Sequence, residues 1–177
     1  LVAEGLRLLE ESDAEHLSLR EIARNVGVSA TAVYRHFPDK HALLAALAHE
    51  GGTQLVKRQL AAQEAAGGGR QGFDATGRAY VRFALENPAL FRLMTVSARA
   101  GASIDSRRGQ ATGLNLLRTN IAALVPPGTS KDLQRVRAIQ SWAMVHGLAM
   151  LMLDGQVPSD ESLIDRVVDT EPAHATD

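Results

Sequence analysis

Between Ser18 and Lys40 the chain reads SLREIARNVGVSATAVYRHFPDK, and nearly every position in that run restricts the backbone. Leu19, Ile22, Ala23 and Val26 recur at i, i+3, i+4 and i+7, the spacing of a single apolar stripe on one short helix. Ser18 and Glu21 form the S-x-x-E pattern of a capping box, and Leu17 with Ile22 has the spacing of a hydrophobic staple. Gly27 supplies the left-handed conformation that stops a helix in a tight turn. Ser29 then caps a second helix with Val33 and Phe37 pointing inward, and Pro38 pushes Phe37 out of helical geometry. Asp39 caps a third, longer helix starting at Lys40. Two short helices joined steeply by a glycine turn are the device that lays the second helix in a DNA major groove.

The rest of the chain is compatible with that reading without announcing it. The 177 residues suffice for one or two domains with a real core, and 45% apolar against 22% charged is an ordinary globular balance. The formal net charge is only −1, so bulk charge does not mark a nucleic-acid binder. From Ser18 to Arg58, however, Arg20, Arg24, Arg35, Lys40, Lys57 and Arg58 face only Glu21, Asp39 and Glu50, a local net charge of +3 with His36, His41 and His49 beside them. A modest positive face on a neutral body suits a protein that touches phosphate with one end. The absence of cysteine excludes disulfides, thiolate zinc sites and cysteine nucleophiles. The longest apolar run, around Leu148 to Leu153, is far short of the roughly 20 residues of a bilayer span. With no signal-peptide pattern, a soluble cytoplasmic protein is expected. The chain opens on Leu1 inside a helical pattern, so a native N-terminal arm is expected to be missing.

The expected fold is all-α. Helices are predicted over about 1–12, 19–26, 30–37 and 40–65, followed by a flexible break at Ala66-Gly67-Gly68-Gly69. A helix from Phe73 to Glu86 ends at Asn87-Pro88, and a short helix then holds Leu90, Phe91 and Met94. Residues 99–106 read as a loop, 107–125 as a helix closed by Pro126-Pro127-Gly128, and 130–154 as a long helix. A last helix follows Pro158-Ser159. The domains are expected at 1–49, a helix-turn-helix unit, and 50–177, a helical body, with the helix over 40–65 rather than the glycines bridging the junction.

GVSATAVYRHFPDK, inside a three-helix unit and followed by an all-helical body, resembles the TetR family of bacterial transcriptional regulators. RAYVRFALENPALFRLM and, at 142–151, WAMVHGLAML resemble the subgroup whose C-terminal domain carries a Trp…His-Gly signature. The resemblance implies a homodimer on a palindromic double-stranded DNA operator, usually a repressor, released when a small-molecule effector enters the C-terminal domain. It implies phosphate contact by Ser18 and a base or phosphate contact by Arg20. It places Ser29, Ala30 and Thr31 at the opening of the reading helix, and has Tyr34, His36 and Lys40 clamp the backbone. Ala30 and Ala32 can touch a thymine methyl but read no hydrogen-bond pattern, so specificity leans on Arg20, Thr31, Arg35, the missing arm and DNA shape.

In the body, Tyr80, Phe83, Phe91, Met94, Trp142, His146 and Met150 are candidate effector-pocket residues, although such a stripe is more often plain packing. Leu151, Leu163, Ile164, Val167 and Val168 are candidate dimer-interface residues, because one small domain would leave that apolar surplus exposed. Pairing the last two helices across a two-fold axis would form a four-helix bundle. No two histidines are spaced i, i+4 and none sits with carboxylates in a ligand pattern, so neither a metal nor a cofactor is expected. The rival class is an all-α small-molecule binding protein or enzyme that does not act on DNA. An enzyme would need a nucleophile with a base, a carboxylate pair or a metal; His146 and Asp154, two turns apart, come nearest and are too distant to bond directly.

Overall fold

Helix boundaries follow the stop and start residues that the chain carries. The computed structural model describes residues 1–101 and 113–169, with the backbone alone for 97–101. Among the described residues the elements are α1 (Val2–Glu11), α2 (Leu19–Val26), α3 (Ala30–His36), α4 (Lys40–Ala65), α5 (Gly69–Glu86), α6 (Pro88–Gly101), α7 (Gly113–Leu124), α8 (Lys131–Leu153) and α9 (Glu161–Val168), with no strand. Gly27 has φ +75° and closes α2, its N–H and that of Val28 returning to the Arg24 and Ala23 carbonyls. Ser29 Oγ accepts from the Ala32 N–H and Asp39 Oδ1 from the Ala42 N–H, capping α3 and α4. Phe37 is extended, as the following proline requires. Ser130 and Asp160 cap α8 and α9 in the same way.

Two compact units divide the described chain. The first comprises Leu1–Gln54 and α6, the second Leu55–Glu86 with α7, α8 and α9, so the division falls inside α4. In the first unit Ile22, Val33, Leu43 and Leu47 are fully buried, each contributing about 1.5–3 kcal/mol relative to an exposed side chain. Gly5 and Gly51 permit close approach here: a Cβ on Gly5 would stand 2.9 Å from Leu47 Cδ2, and one on Gly51 would stand 2.7 Å from Met94 Sδ. In the second unit α5 packs on α8, α7 and α9 around Val81, Phe83, Ala84, Ala149 and Ile164. An ion-pair ladder lies over the α5–α9 contact: Arg78 meets Asp165 and Asp169, and Arg82 meets Glu161 and Asp165.

Several local expectations need correction. Ser18 makes no side-chain cap bond, and Glu21 pairs with the Arg24 guanidinium 3.3 Å away rather than reaching back to its own helix start. Val26 is exposed: it sits where the chain turns away at Gly27, beyond the buried stripe of Leu19, Ile22 and Ala23. The break at the glycine run is short. Gly67, Gly68 and Gly69 all have positive φ, and α5 starts at Gly69, four residues ahead of Phe73. The helix after Pro88 runs to Gly101, into the expected loop at 99–106, since Ala98, Arg99 and Ala100 are good helix formers. Residues 102–106 of that loop, and 107–112 of the next predicted helix, lie outside the described residues.

Candidate functional site

The first unit presents one face rich in unpaired polar side chains. In α3, Ala30, Thr31, Tyr34 and Arg35 stand at i, i+1, i+4 and i+5, which gathers them on one exposed side away from buried Val33. His36 is exposed at the end of the same helix, Ser29 at its cap, and Arg20 in the first turn of α2. Arg20, Thr31, Tyr34, Arg35 and His36 have no hydrogen-bond or ion-pair partner among the described residues. Arg24, by contrast, is taken by Glu21. The Ser18 hydroxyl, not used as a cap, is half-buried at the start of α2. Lys40 departs from the simple picture of a free clamp: its Nζ donates to the Glu15 carbonyl, tying the start of α4 to the loop between α1 and α2. The loop itself is seated on buried Leu17.

A second constellation lies in the other unit. The Tyr80 hydroxyl on α5 is 3.0 Å from His146 Nδ1 on α8, and the Trp142 indole N–H donates to the same oxygen at 3.4 Å. The Trp142 and His146 rings are 6.0 Å apart, tilted at 48°. Burial pushes the Tyr80 phenol up to about 12. Met150, half-buried, follows one turn beyond His146 on α8. The remaining expected pocket residues do not join them. Phe83 is wholly buried, with the Arg58 guanidinium carbon 5.3 Å from its ring centroid. Phe91 and Met94 belong to α6 in the first unit, where Gly51 admits Met94.

The apolar surplus expected at the dimer face is also distributed differently. Ile164 and Val168 are buried inside the second unit; a Cβ on Gly77 of α5 would stand 2.9 Å from Val168 Cγ1. Leu163 and Val167 are half-buried and Leu151 is exposed. The uncovered surface is on α8, where Leu133, Val136, Ala143, Gly147 and Leu151 form one stripe, all exposed except half-buried Gly147, beside which a Cβ would meet nothing. By length and hydropathy α8 could cross a bilayer, and 28% of its most apolar stretch is buried.

Sequence reasoning missed a polar seam of the second unit: Gln59 and Gln63 on α4, Thr76 on α5 and Asn120 on α7. The i, i+4 pair of glutamines facing inward was its only signal in the sequence.

A glycine-turned helix pair carrying an unpaired polar face on a small helical unit defines a helix-turn-helix DNA-binding protein. Residues 1–47 match the family model of bacterial regulatory proteins, tetR family, and residues 73–171 match that of the tetracyclin repressor-like C-terminal domain. The chain belongs to the TetR family of transcriptional regulators. It is 27% identical over 151 residues to the nucleoid occlusion factor SlmA of Idiomarina loihiensis, covering 85% of this chain and 76% of that one. A Rhodococcus sp. RHA1 protein of unknown function superposes with a TM-score of 0.75 at 33% identity, covering 94% of this chain and 87% of that one. A TetR transcriptional regulator from the same organism shares the fold, with a TM-score of 0.56 at 24% identity over 95% of this chain and 90% of the other.

Proposed function

We propose that the chain is a ligand-responsive repressor that binds a palindromic DNA operator as a homodimer and releases it when a small-molecule effector binds. The observation that carries this reading is the row of Arg20, Thr31, Tyr34, Arg35 and His36, exposed together and without partners among the described residues. Residues 1–49 act as the reading head. Ser18, Ser29, Tyr34, His36 and Lys40 contact phosphate, Lys40 through the ammonium donors left after Glu15. Arg20, Thr31 and Arg35 address base edges, while Ala30 packs on thymine methyls.

Residues 50–177 hold the effector and the dimer contact. Tyr80, Trp142, His146 and Met150 form the effector side, an aromatic wall with hydrogen-bonding tips. The stripe of Leu133, Val136, Ala143, Gly147 and Leu151, with Leu163 and Val167 of α9, is the surface for a second copy. Small residues at its middle let two α8 helices approach closely, and pairing covers apolar surface that water would otherwise meet. A two-fold pair also sets two reading heads at the spacing of successive major grooves. The effector favours the arrangement whose head spacing does not fit, so that occupancy shifts the population away from DNA. Action on DNA makes the protein cytoplasmic, and no cofactor enters the scheme.

The decisive experiment is a gel-shift titration with the protein's own upstream DNA at several fixed salt concentrations. Affinity should fall steeply with salt, as phosphate contacts require. Tyr34→Ala should weaken binding to all sequences, and Arg20→Ala should cost about 1–3 kcal/mol and relax one base position. Salt-independent binding, or both variants behaving as the parent, would remove the proposal.

A further inference from the structure

We infer that Glu4 of α1 is a positioning residue for DNA reading: through Asn25 it fixes the last turn of α2, and with it the direction in which α3 meets the major groove. The inference rests on the first unit being the DNA-reading head. It adds a residue that lies outside the reading face and acts through another.

α2 is tied at both ends by side chains from outside the helix-turn-helix pair. Near its start, Lys40 of α4 donates to the Glu15 carbonyl, just ahead of buried Leu17. Near its end, Asn25 Nδ2 donates to Glu4 Oε1 at 2.8 Å. Ser18 adds no side-chain cap. Eight residues are too few for a helix to persist alone, so α2 depends on these ties and on burial of Leu19, Ile22 and Ala23.

Glu4 is itself firmly placed. Arg7 donates to Oε2 at 3.0 Å through Nε and to Oε1 at 2.7 Å through Nη2, a two-pronged grip. Glu11 braces Arg7 from the other side at 2.6 Å. The Glu4 side chain is 17% exposed, and the bonds from Arg7 and then Asn25 hold its carboxyl down to about 2. It is therefore ionised wherever DNA is bound. α1 beneath it is anchored by buried Leu8 and Leu9, and by Gly5, where a Cβ would stand 2.9 Å from Leu47 Cδ2.

The glycine turn carries that placement forward to α3. The Gly27 N–H returns to the Arg24 carbonyl at 3.2 Å and the Val28 N–H to the Ala23 carbonyl at 3.0 Å. Asn25 thus belongs to the same turn of α2 from which the entry to α3 hangs. α3 has seven residues and packs on α2, so a shift of that turn re-aims Ala30, Thr31 and Tyr34 together.

Charge alone predicts the opposite effect of losing Glu4. A carboxylate on a unit that approaches phosphate opposes DNA binding, so its removal would tighten binding to every sequence. A positioning role predicts weaker binding to the operator alone.

The test uses the full chain, the protein's own upstream DNA and poly(dI-dC) as the non-specific competitor, at one fixed salt concentration. Glu4→Ala and Asn25→Ala should each lower the preference for the upstream DNA at least about fivefold, with binding to poly(dI-dC) undiminished. The double variant should lose no more than Glu4→Ala alone, because both changes remove the same bond. Glu10→Ala removes an equal charge from the exposed side of α1 and should leave the preference as it is. Asn25→Ala introduces a better helix former and keeps the Glu4–Arg7 pair, so it separates aim from folding. Residual dipolar couplings of the α3 amides, measured without DNA, should shift as a block relative to those of α1 in both single variants. An unchanged preference in Asn25→Ala, additive losses, an equal fall in Glu10→Ala, or α3 couplings that do not move would each overturn the inference. A parent protein with no preference for its upstream DNA would strike the regulator reading instead, and the couplings would still decide whether Glu4 aims α3.

Discussion

The Tyr80 hydroxyl and His146 Nδ1, 3.0 Å apart, join α5 to α8 by a hydrogen bond inside an otherwise mostly apolar contact. Burial raises the phenol from 10.0 to about 12, so folding favours its neutral form. A raised value in the folded state means stability that is complete below pH 10 and drains away as pH climbs through about 12. Tyr80→Phe should lose about 1 kcal/mol at neutral pH and should shed this alkaline component. Urea unfolding at stepped alkaline pH checks both; an identical alkaline decline in parent and variant would refute the assignment.

Glu4 ties α1 to α2. Its carboxylate accepts from Arg7 at 2.7 and 3.0 Å and from Asn25 on α2 at 2.8 Å, and these bonds hold it down to about 2, the Arg7 bond being the largest cause. A lowered value in the folded state means stability that is present above the ordinary 4.5 and is lost as pH falls towards about 2. Glu4→Gln should therefore flatten the acid limb of the thermal-melting profile in that window. The difference should shrink in high salt, because the pair is exposed. Parallel acid limbs for the two proteins would contradict this.

Two glycines serve different needs and should fail differently. Gly77→Ala puts a methyl 2.9 Å from Val168 Cγ1 and 3.3 Å from Val145 Cγ1, an overpacking expected to cost about 1–3 kcal/mol. Gly27→Ala meets nothing, but its φ of +75° should cost about 1–2 kcal/mol in backbone strain. Chemical denaturation measures both losses. Only Gly27→Ala should also weaken operator binding, since it re-aims α3.

Leu151→Glu on α8 and Ile164→Glu on α9 separate association from folding. Leu151 is 41% exposed, so its variant should sediment as a folded monomer with full helicity and reduced operator affinity. Ile164 is 1% exposed, so its variant should lose structure outright. A Leu151→Glu protein that remains a dimer would remove α8 from the proposed interface.

Most of what concerns neighbours along the chain was legible beforehand. Ser29 and Asp39 cap the helices expected of them, Gly27 is left-handed, and Pro38 holds Phe37 extended. These are interactions over three or four residues, where the partner is dictated by covalent proximity. Even there a local bond can differ from the expected one: Glu21 pairs with Arg24, and Ser18 makes no cap bond.

Which helix covers which face was not legible. The α9 pattern of Leu163, Ile164, Val167 and Val168 requires that one side be covered but is silent on whether the cover is α5 or another copy; Gly77 decides it by admitting Val168. Phe91 and Met94 carry the same apolar character as Tyr80's neighbours, yet α6 packs with α1 in the first unit. The Lys40–Glu15 and Gln59–Thr76 bonds likewise join residues far apart in the chain. Helix starts and stops are encoded by torsional preference and local hydrogen bonds, whereas burial is a collective outcome of packing whole faces together. A one-dimensional pattern states that a face must be covered, and only the assembled helices supply the partner.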